Sequence, residues 1–304
     1  FKVFYVPRAV AYHKIPSDPQ KESSRLLSRA YWIGRNRILF MKDFGNNFLI
    51  FTLFLPIYAI YYIRLALRFN KFNSWISFLH GCVDGMLAVL IPEKKLPFSS
   101  ISIVRSAVGD VRTILDLGCG YGYLMKAISR DENWEVTGVD TDSNSLRLAS
   151  SILAYRDLIK GDLETVARGL IKKKKKFDVV LMSQVIEHLT KQKGERVLDL
   201  IEKLVLKRIV ITTPNGFMEQ IEESLDGNIH QAHLSGWQKE DFTKREYEVR
   251  GMGFRLIWSF SGLGRTNIKI SVIIFRTIGW IMAPFVYYFS VLGASLVAVK
   301  SFGK

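Results

Sequence analysis

Only two cysteines, Cys82 and Cys119, occur in 304 residues, and neither stands in a Cys-x-x-Cys or other ligand spacing. A disulfide framework and a cysteine zinc site are therefore excluded, and a reducing, cytosolic surrounding is the expectation. Prolines number 8 and the 22 glycines follow no period, which excludes collagen-like chains and proline-rich linkers. Acidic residues are the minority, 28 Asp and Glu against 43 Lys and Arg, for a net charge of +15. No basic-then-apolar leader opens the chain, whose first residue is Phe1, so it reads as part of a longer protein. Apolar residues are plentiful, at 48% with a mean hydropathy of +0.11, too many for a disordered chain. The length suits roughly two domains. Soluble nucleic-acid binders are basic but hydrophilic, so this pairing of charge and hydropathy points first to a membrane surface and only second to nucleic acid.

The two features are unevenly spread. Residues 1–100 carry 14 basic against 5 acidic side chains, and residues 101–304 carry 29 against 23. Phe48 to Ile63 is 16 residues without a charge, and Ser74 to Pro92 is interrupted only by Asp84; both fall short of the ~20 residues of a comfortable bilayer span. Helices lying in the membrane interface are the expectation, on the cytoplasmic side, with a spanning hairpin and buried soluble helices as alternatives. From Ile101 onward short apolar runs alternate with helical stretches, as in a parallel sheet with crossover helices. Strands are predicted at Arg112–Leu117, Glu135–Asp140, Asp157–Lys160, Phe177–Met182, Arg208–Thr212 and Phe254–Phe260, and helices at Tyr123–Ser129, Ser143–Ile152, Lys193–Leu206 and Lys239–Arg250. Pro92 to Asp110 is the expected linker. Thr277 to Val299 is 23 residues without a charge, long enough to span a bilayer, yet Pro284 and Gly293 interrupt it and Ala294 to Lys300 reads as a last strand. Residues 268–292 are therefore expected to be a hydrophobic insertion before that strand.

The sharpest signal is Thr113-Ile-Leu-Asp-Leu-Gly-Cys-Gly-Tyr-Gly122, an apolar strand running into Asp116-x-Gly118-x-Gly120-x-Gly122. Glycines at a strand-to-helix turn let backbone approach a ligand, and the helix N-terminus offers free N–H groups. Asp140 ends the next strand, where a carboxylate can accept both ribose hydroxyls of a nucleotide. Gly161-Asp162-Leu163 follows the third strand. A dinucleotide fingerprint would need glycine at position 123, where Tyr123 stands.

This constellation resembles motif I of class I S-adenosylmethionine-dependent methyltransferases. The resemblance extends through Phe177 to Leu189, Thr212 to Gly216 and the final strand. It implies an α/β fold, a doubly wound seven-stranded Rossmann-like sheet, in residues 98–304. It further implies S-adenosyl-L-methionine as cofactor, with Gly118, Cys119, Gly120 and Gly122 around the methionine part and Asp116 on its amino group. Asp140 and Thr141 would take the ribose, Asp162 and Leu163 the adenine, and Ser183 and Gln184 would close the pocket. Taken alone, Asp162 is equally well read as a helix N-cap.

A sulfonium methyl is already activated, so the protein mainly aligns the acceptor, with a base needed when the acceptor is a hydroxyl. His188 beside Glu187, His233 and, less so, His230 are the candidates. The Glu187–His188 pair resembles the metal-binding segment of quinone O-methyltransferases, but Gln184 stands where those carry a further acid, so no metal is assigned. Lys172 to Lys176 reads as a solvated turn. No Asp-Pro-Pro-Tyr segment follows the fourth strand, so nucleic acid is not expected as acceptor. Asp140-Thr-Asp142 matches the Asp-x-Asp of sugar transferases only in letters.

Val3 to His13 and Tyr31-Trp-Ile-Gly-Arg-Asn-Arg37 resemble the C-terminal end of family 2 glycosyltransferases, which implies a mainly helical, membrane-associated region over residues 1–97. The acceptor expected from that neighbour is a glycan, glycolipid or other lipid-linked small molecule.

Overall fold

The computed structural model describes residues 27–44, 48–90, 96–129, 133–151, 155–218, 232–258 and 269–303. The chain divides into two compact units, Phe1–Pro92 and Glu93–Lys304.

The first unit is helical: α1 (Ala30–Phe44), α2 (Phe48–Leu53), α3 (Leu55–Arg68) and α4 (Phe72–Leu90). α1 and α4 approach backbone to backbone, since a Cβ on Gly81 would lie 2.0 Å from the Tyr31 carbonyl oxygen. Tyr31 donates a 2.6 Å hydrogen bond to Asp84 across this seam, and the rings of Tyr62 and Phe78 stack at 4.1 Å. Ile50–Arg68 is long and apolar enough to cross a membrane by length and composition. Its side chains Leu53, Ile57, Ile60 and Tyr61 are more than half exposed. His13 and the rest of Val3–His13 lie outside the described residues.

The second unit runs α5 (Ser100–Val108), β1 (Thr113–Leu117), α6 (Tyr123–Ile128), β2 (Glu135–Asp140), α7 (Ser143–Ser151), β3 (Asp157–Lys160), α8 (Leu163–Lys172), β4 (Phe177–Ser183), a 3₁₀ turn (Ile186–His188), α9 (Lys191–Ile201), β5 (Val205–Pro214), α10 (Lys239–Thr243), β6 (Glu248–Phe254), α11 (Arg255–Trp258), α12 (Lys269–Tyr288) and β7 (Gly293–Ser301). Its seven strands form one sheet in the order β3-β2-β1-β4-β5-β7-β6. β7 is antiparallel to both β5 and β6, and the other pairs are parallel.

Alternate side chains of the central strands enter two separate cores. Leu115, Leu117, Val180, Met182, Ile209 and Ile211 pack on the α8–α9 face with Trp237 and Phe242. Ile114, Val179, Leu181 and Val210 pack on the other with Ile103, Val104 and Met125. Burial on both faces is why these strands read as near-continuous apolar runs.

Three expectations are corrected. Pro92 to Asp110 is not a bare linker: Ser99 caps α5 by accepting from the Ser102 amide at 3.1 Å, and Ile103, Val104 and Val108 are buried. Strand six is Glu248–Phe254 rather than Phe254–Phe260, because residues 255–258 turn helical and Gly251 lies against α12. A Cβ at Gly251 would come 2.3 Å from the Val286 carbonyl oxygen, so the glycines that dilute the apolar alternation here mark a close approach. The helix expected over Lys239–Arg250 ends at Thr243, just before Glu246 adopts φ +66°. The chain from 269 to 292 leaves the sheet after β6 as α12, with Pro284 inside it, and returns as β7; position 268 lies outside the described residues.

Candidate cofactor crevice and active site

Strand order reverses between β1 and β4, so a crevice opens beyond their C-terminal ends, where open α/β sheets bind ligands. β1 runs straight into the glycine turn. Gly118 and Cys119 amides donate to the Val139 carbonyl at 2.8 and 3.0 Å, and the Gly120 amide donates to Asp140 Oδ2 at 2.8 Å. Asp140 Oδ1 accepts from the Asp142 amide at 2.9 Å. One carboxylate thus ties the turn after β1 to the turn after β2. Gly118 has φ +73°, and a Cβ there would lie 2.4 Å from Val185. Gly120 has φ +50° with no atom within 4 Å of a Cβ position: left-handed backbone facing open space, as a ligand cradle requires. Gly122, also left-handed, is the N-cap of α6, and Thr141 follows Asp140 half-buried on the second turn.

Asp116 lies beneath this turn, 5% exposed, accepting a 2.7 Å hydrogen bond from the Tyr155 hydroxyl. Burial, aided by the nearby charge of Asp140, pushes its carboxyl up to about 6 against the lowering effect of Tyr155. Burial and the same two aspartates push the Cys119 thiol up as well, so it stays neutral and is no nucleophile. Sequence reasoning missed Tyr155, which meets Asp116 across 39 positions with no local signal.

Asp162 and Leu163, expected at the adenine, stand at the start of α8. Asp162 caps α8, one oxygen accepting from the Glu164 and Thr165 amides and the other paired with Lys193. Leu163 turns its side chain into the core. Asp162 acts as this cap because it immediately precedes a helix whose first amides need acceptors. Ser183 shares a 2.7 Å hydrogen bond with Thr212. Gln184 holds φ +54°, its amide donating to the Thr212 carbonyl and its side chain to the Thr212 hydroxyl. A non-glycine residue held in this left-handed region at the end of a central strand is local strain of the kind that collects at functional sites.

The 3₁₀ turn after β4 presents Glu187 and His188, and the chain returns to it: the Leu234 and Ser235 amides both donate to the Glu187 carbonyl. That return brings His233 to His188, ring centroids 4.9 Å apart. One ligand atom each from Glu187, His188 and His233 lies within 4.8 Å of the others. Glu187 is 2% exposed; Oε2 accepts from Thr213 at 3.1 Å, while Oε1 is buried with no hydrogen-bond partner. Burial pushes its carboxyl up to about 7. His188 Nδ1 lies 3.1 Å from the Ala232 carbonyl and His233 Nδ1 lies 2.7 Å from the Met218 carbonyl. A carbonyl only accepts, so each of these contacts is one in which the ring Nδ1–H donates. A carboxylate oxygen and one ring nitrogen from each histidine are a donor set of the kind a divalent cation takes. His230 lies outside the described residues.

The family model described as "Methyltransferase domain" matches residues 115–208, which span β1 to the start of β5, the cofactor half of the sheet. The chain is 30% identical over 115 residues to N-methyltransferase 4 of Papaver somniferum, covering 36% of this chain and 32% of that protein. It is 33% identical over 87 residues to the ubiquinone biosynthesis O-methyltransferase of Pelagibacter ubique, covering 28% and 35%. The matched stretch thus spans about a third of these curated relatives. A solved SAM-dependent methyltransferase from Archaeoglobus fulgidus superposes with a TM-score of 0.44 at 18% identity, covering 70% of this chain and 99% of that one. Together, the family match and the methyltransferase relatives support an S-adenosylmethionine-dependent methyltransferase.

Proposed function

We propose that this protein moves a methyl group from S-adenosylmethionine to an oxygen, less favourably a nitrogen, of a glycan, glycolipid or other lipid-linked small acceptor at the cytoplasmic face of a membrane. The observation that carries the donor is the open, left-handed Gly120 held by Asp140 above a buried Asp116. In this reading the glycine turn would hold the methionine portion, Asp116 its ammonium, Asp140 and Thr141 the ribose, and Asp162 and Leu163, at the start of α8, the adenine. Ser183 and Gln184 close the crevice beneath the sulfonium.

Transfer breaks the sulfur–methyl bond as the methyl–oxygen bond forms, in line, leaving S-adenosylhomocysteine. The acceptor hydroxyl gives its proton to a base. Glu187, its carboxyl pushed up to about 7 by burial, and the rings of His188 and His233 beside it are the candidates for that base when no cation is bound. A divalent cation on Glu187, His188 and His233 would lower the pKa of an acceptor hydroxyl by charge.

The membrane part is supported by the length and apolar composition of Ile50–Arg68 and by the exposed Arg64 and Arg68 at its end, which anionic lipid would attract. Tyr31–Arg37, in α1, precedes these helices as in family 2 glycosyltransferases; by that resemblance the domain would methylate the product of an upstream glycosyl transfer. Without catalysis, the same fold would serve as a cofactor-binding anchor. Calorimetry with S-adenosylmethionine on wild type and Asp140→Ala decides the donor: binding that is absent, or indifferent to the substitution, refutes it. Flotation with anionic vesicles tests location, and a chain left in the soluble fraction rules the membrane reading out.

A further inference from the structure

Beside the His188–His233 cluster, the stretch after β5 borders a second feature. Thr213 bonds Glu187 and the Met218 carbonyl meets His233, while the residues between them, Asn215 to Phe217, form one wall of a cleft of about 580 Å³. The opposite wall is the end of α12 and the chain just after it, with Tyr288, Phe289 and Val291 60–73% exposed. Lys239 and Arg255 line the same cleft against one carboxylate, Glu240, and neither cation has an ion-pair partner among the described residues. From this rim an apolar strip continues up α12 through Phe285, Ile281 and Trp280, all more than half exposed, while Val286 on the other side is buried against β6.

We propose that the cleft seats the anionic head of an amphipathic lipid acceptor whose hydrocarbon chain lies along the exposed face of α12. This rests on the methyltransferase reading and specifies its acceptor. The two unpaired cations sit where the head would enter, and the apolar strip starts at the same rim, so charge and hydrophobicity are ordered along one line as they are in a phospholipid. The head is thereby held against the stretch whose two ends bond Glu187 and His233, while the tail stays along α12.

Photolabelling of the full chain tests this. Phosphatidylcholine vesicles doped with a diazirine-bearing phosphatidic acid are irradiated with the protein, and labelled peptides are mapped by mass spectrometry. Label is expected on residues 278–291, falling about tenfold in a Lys239→Ala, Arg255→Ala double variant, the scale of losing hydrogen bonds to a charged group. A diazirine-bearing phosphatidylcholine should label 278–291 weakly and equally in both proteins. Label confined to residues 48–68 would mean that protein covers α12 and would overturn the proposal. So would label from both lipids that ignores the double variant, or complete competition by millimolar inorganic phosphate, which would make the cleft a site for free phosphate. Cofactor binding is measured by calorimetry on the same samples: its absence in wild type would sink the methyltransferase reading, whereas the labelling pattern reports the lipid site independently.

Discussion

Replacing Asp116 by asparagine should make the cofactor-free protein more stable at neutral pH while destroying its cofactor site. Asp116 is buried, and its carboxyl is pushed up to about 6 from the ordinary 3.8. A folded-state value above the unfolded one means that the folded protein holds the proton more tightly, so stability falls as pH rises between roughly 4 and 6. Two units of displacement at 1.36 kcal/mol each give a penalty of about 3 kcal/mol, complete above pH 6. Asparagine keeps the shape and leaves the Tyr155 hydroxyl an acceptor, but it carries no charge to desolvate. The expected gain for Asp116→Asn is therefore about 3 kcal/mol at pH 7.5 without cofactor, vanishing near pH 4. Amide hydrogen exchange of β1 and β4 under urea reads the sheet unit separately from the helical one. With S-adenosylmethionine the order should reverse, because the cofactor's ammonium pairs with an ionised Asp116 only. In wild type, affinity should rise about tenfold per pH unit up to pH 6 and then level off. A variant less stable than wild type at pH 7.5, or one that binds cofactor within about twofold of wild type, would refute the assigned burial penalty or the assigned role respectively.

Other substitutions separate the parts of the crevice. Gly118→Ala drives a methyl group to 2.4 Å from Val185 and should cost about 2 kcal/mol or more in urea unfolding, whereas Gly120→Ala, with nothing in its way, should cost about 1 kcal/mol yet abolish cofactor binding in calorimetry. Asp162→Ala should lower stability by about 1 kcal/mol through the lost cap, and Asp162→Asn should recover most of it; equal melting of the two would remove the cap assignment. Mn²⁺ titrated into the cofactor-free protein should bind to wild type and about tenfold or more weakly to His188→Ala and His233→Ala, and a wild-type titration without heat would dismiss the cation site.

The cofactor half of the domain was readable because its signals are local. β2 and β3 run over the residues expected of them, and β1 and β4 differ by one at an end: the buried strands β1, β2 and β4 leave apolar runs bounded by turns, and the edge strand β3 is a short run between two of them. The acceptor half was less readable because its determinants are distant in sequence. β6 carries two glycines that look like loop until α12 is seen resting on Gly251 and Trp258 of α11 lying beside Gly253. α5 was hidden by the Pro, Ser and Gly around it, although Ser99 is its cap. Tyr155 on Asp116 and His233 on His188 exist only through loop return, and no spacing rule encodes either. Asp162 was legible in kind but ambiguous in role, since one carboxylate after a strand serves a nucleotide or a helix end equally well until Lys193 is found beside it.

Phe254 and Gly293 are partners on one rung of the β6–β7 ladder, so everything between them, α11 and α12 included, departs from and rejoins the sheet at a single point. Closing such an excursion costs chain entropy that grows only with the logarithm of its length, so it can lengthen, shrink or be exchanged while the ladder beneath stays in register. The domain is thereby modular in one direction: whatever the excursion recognises can change from one protein to another, while the glycine turn on the far side of the sheet continues to hold the same donor.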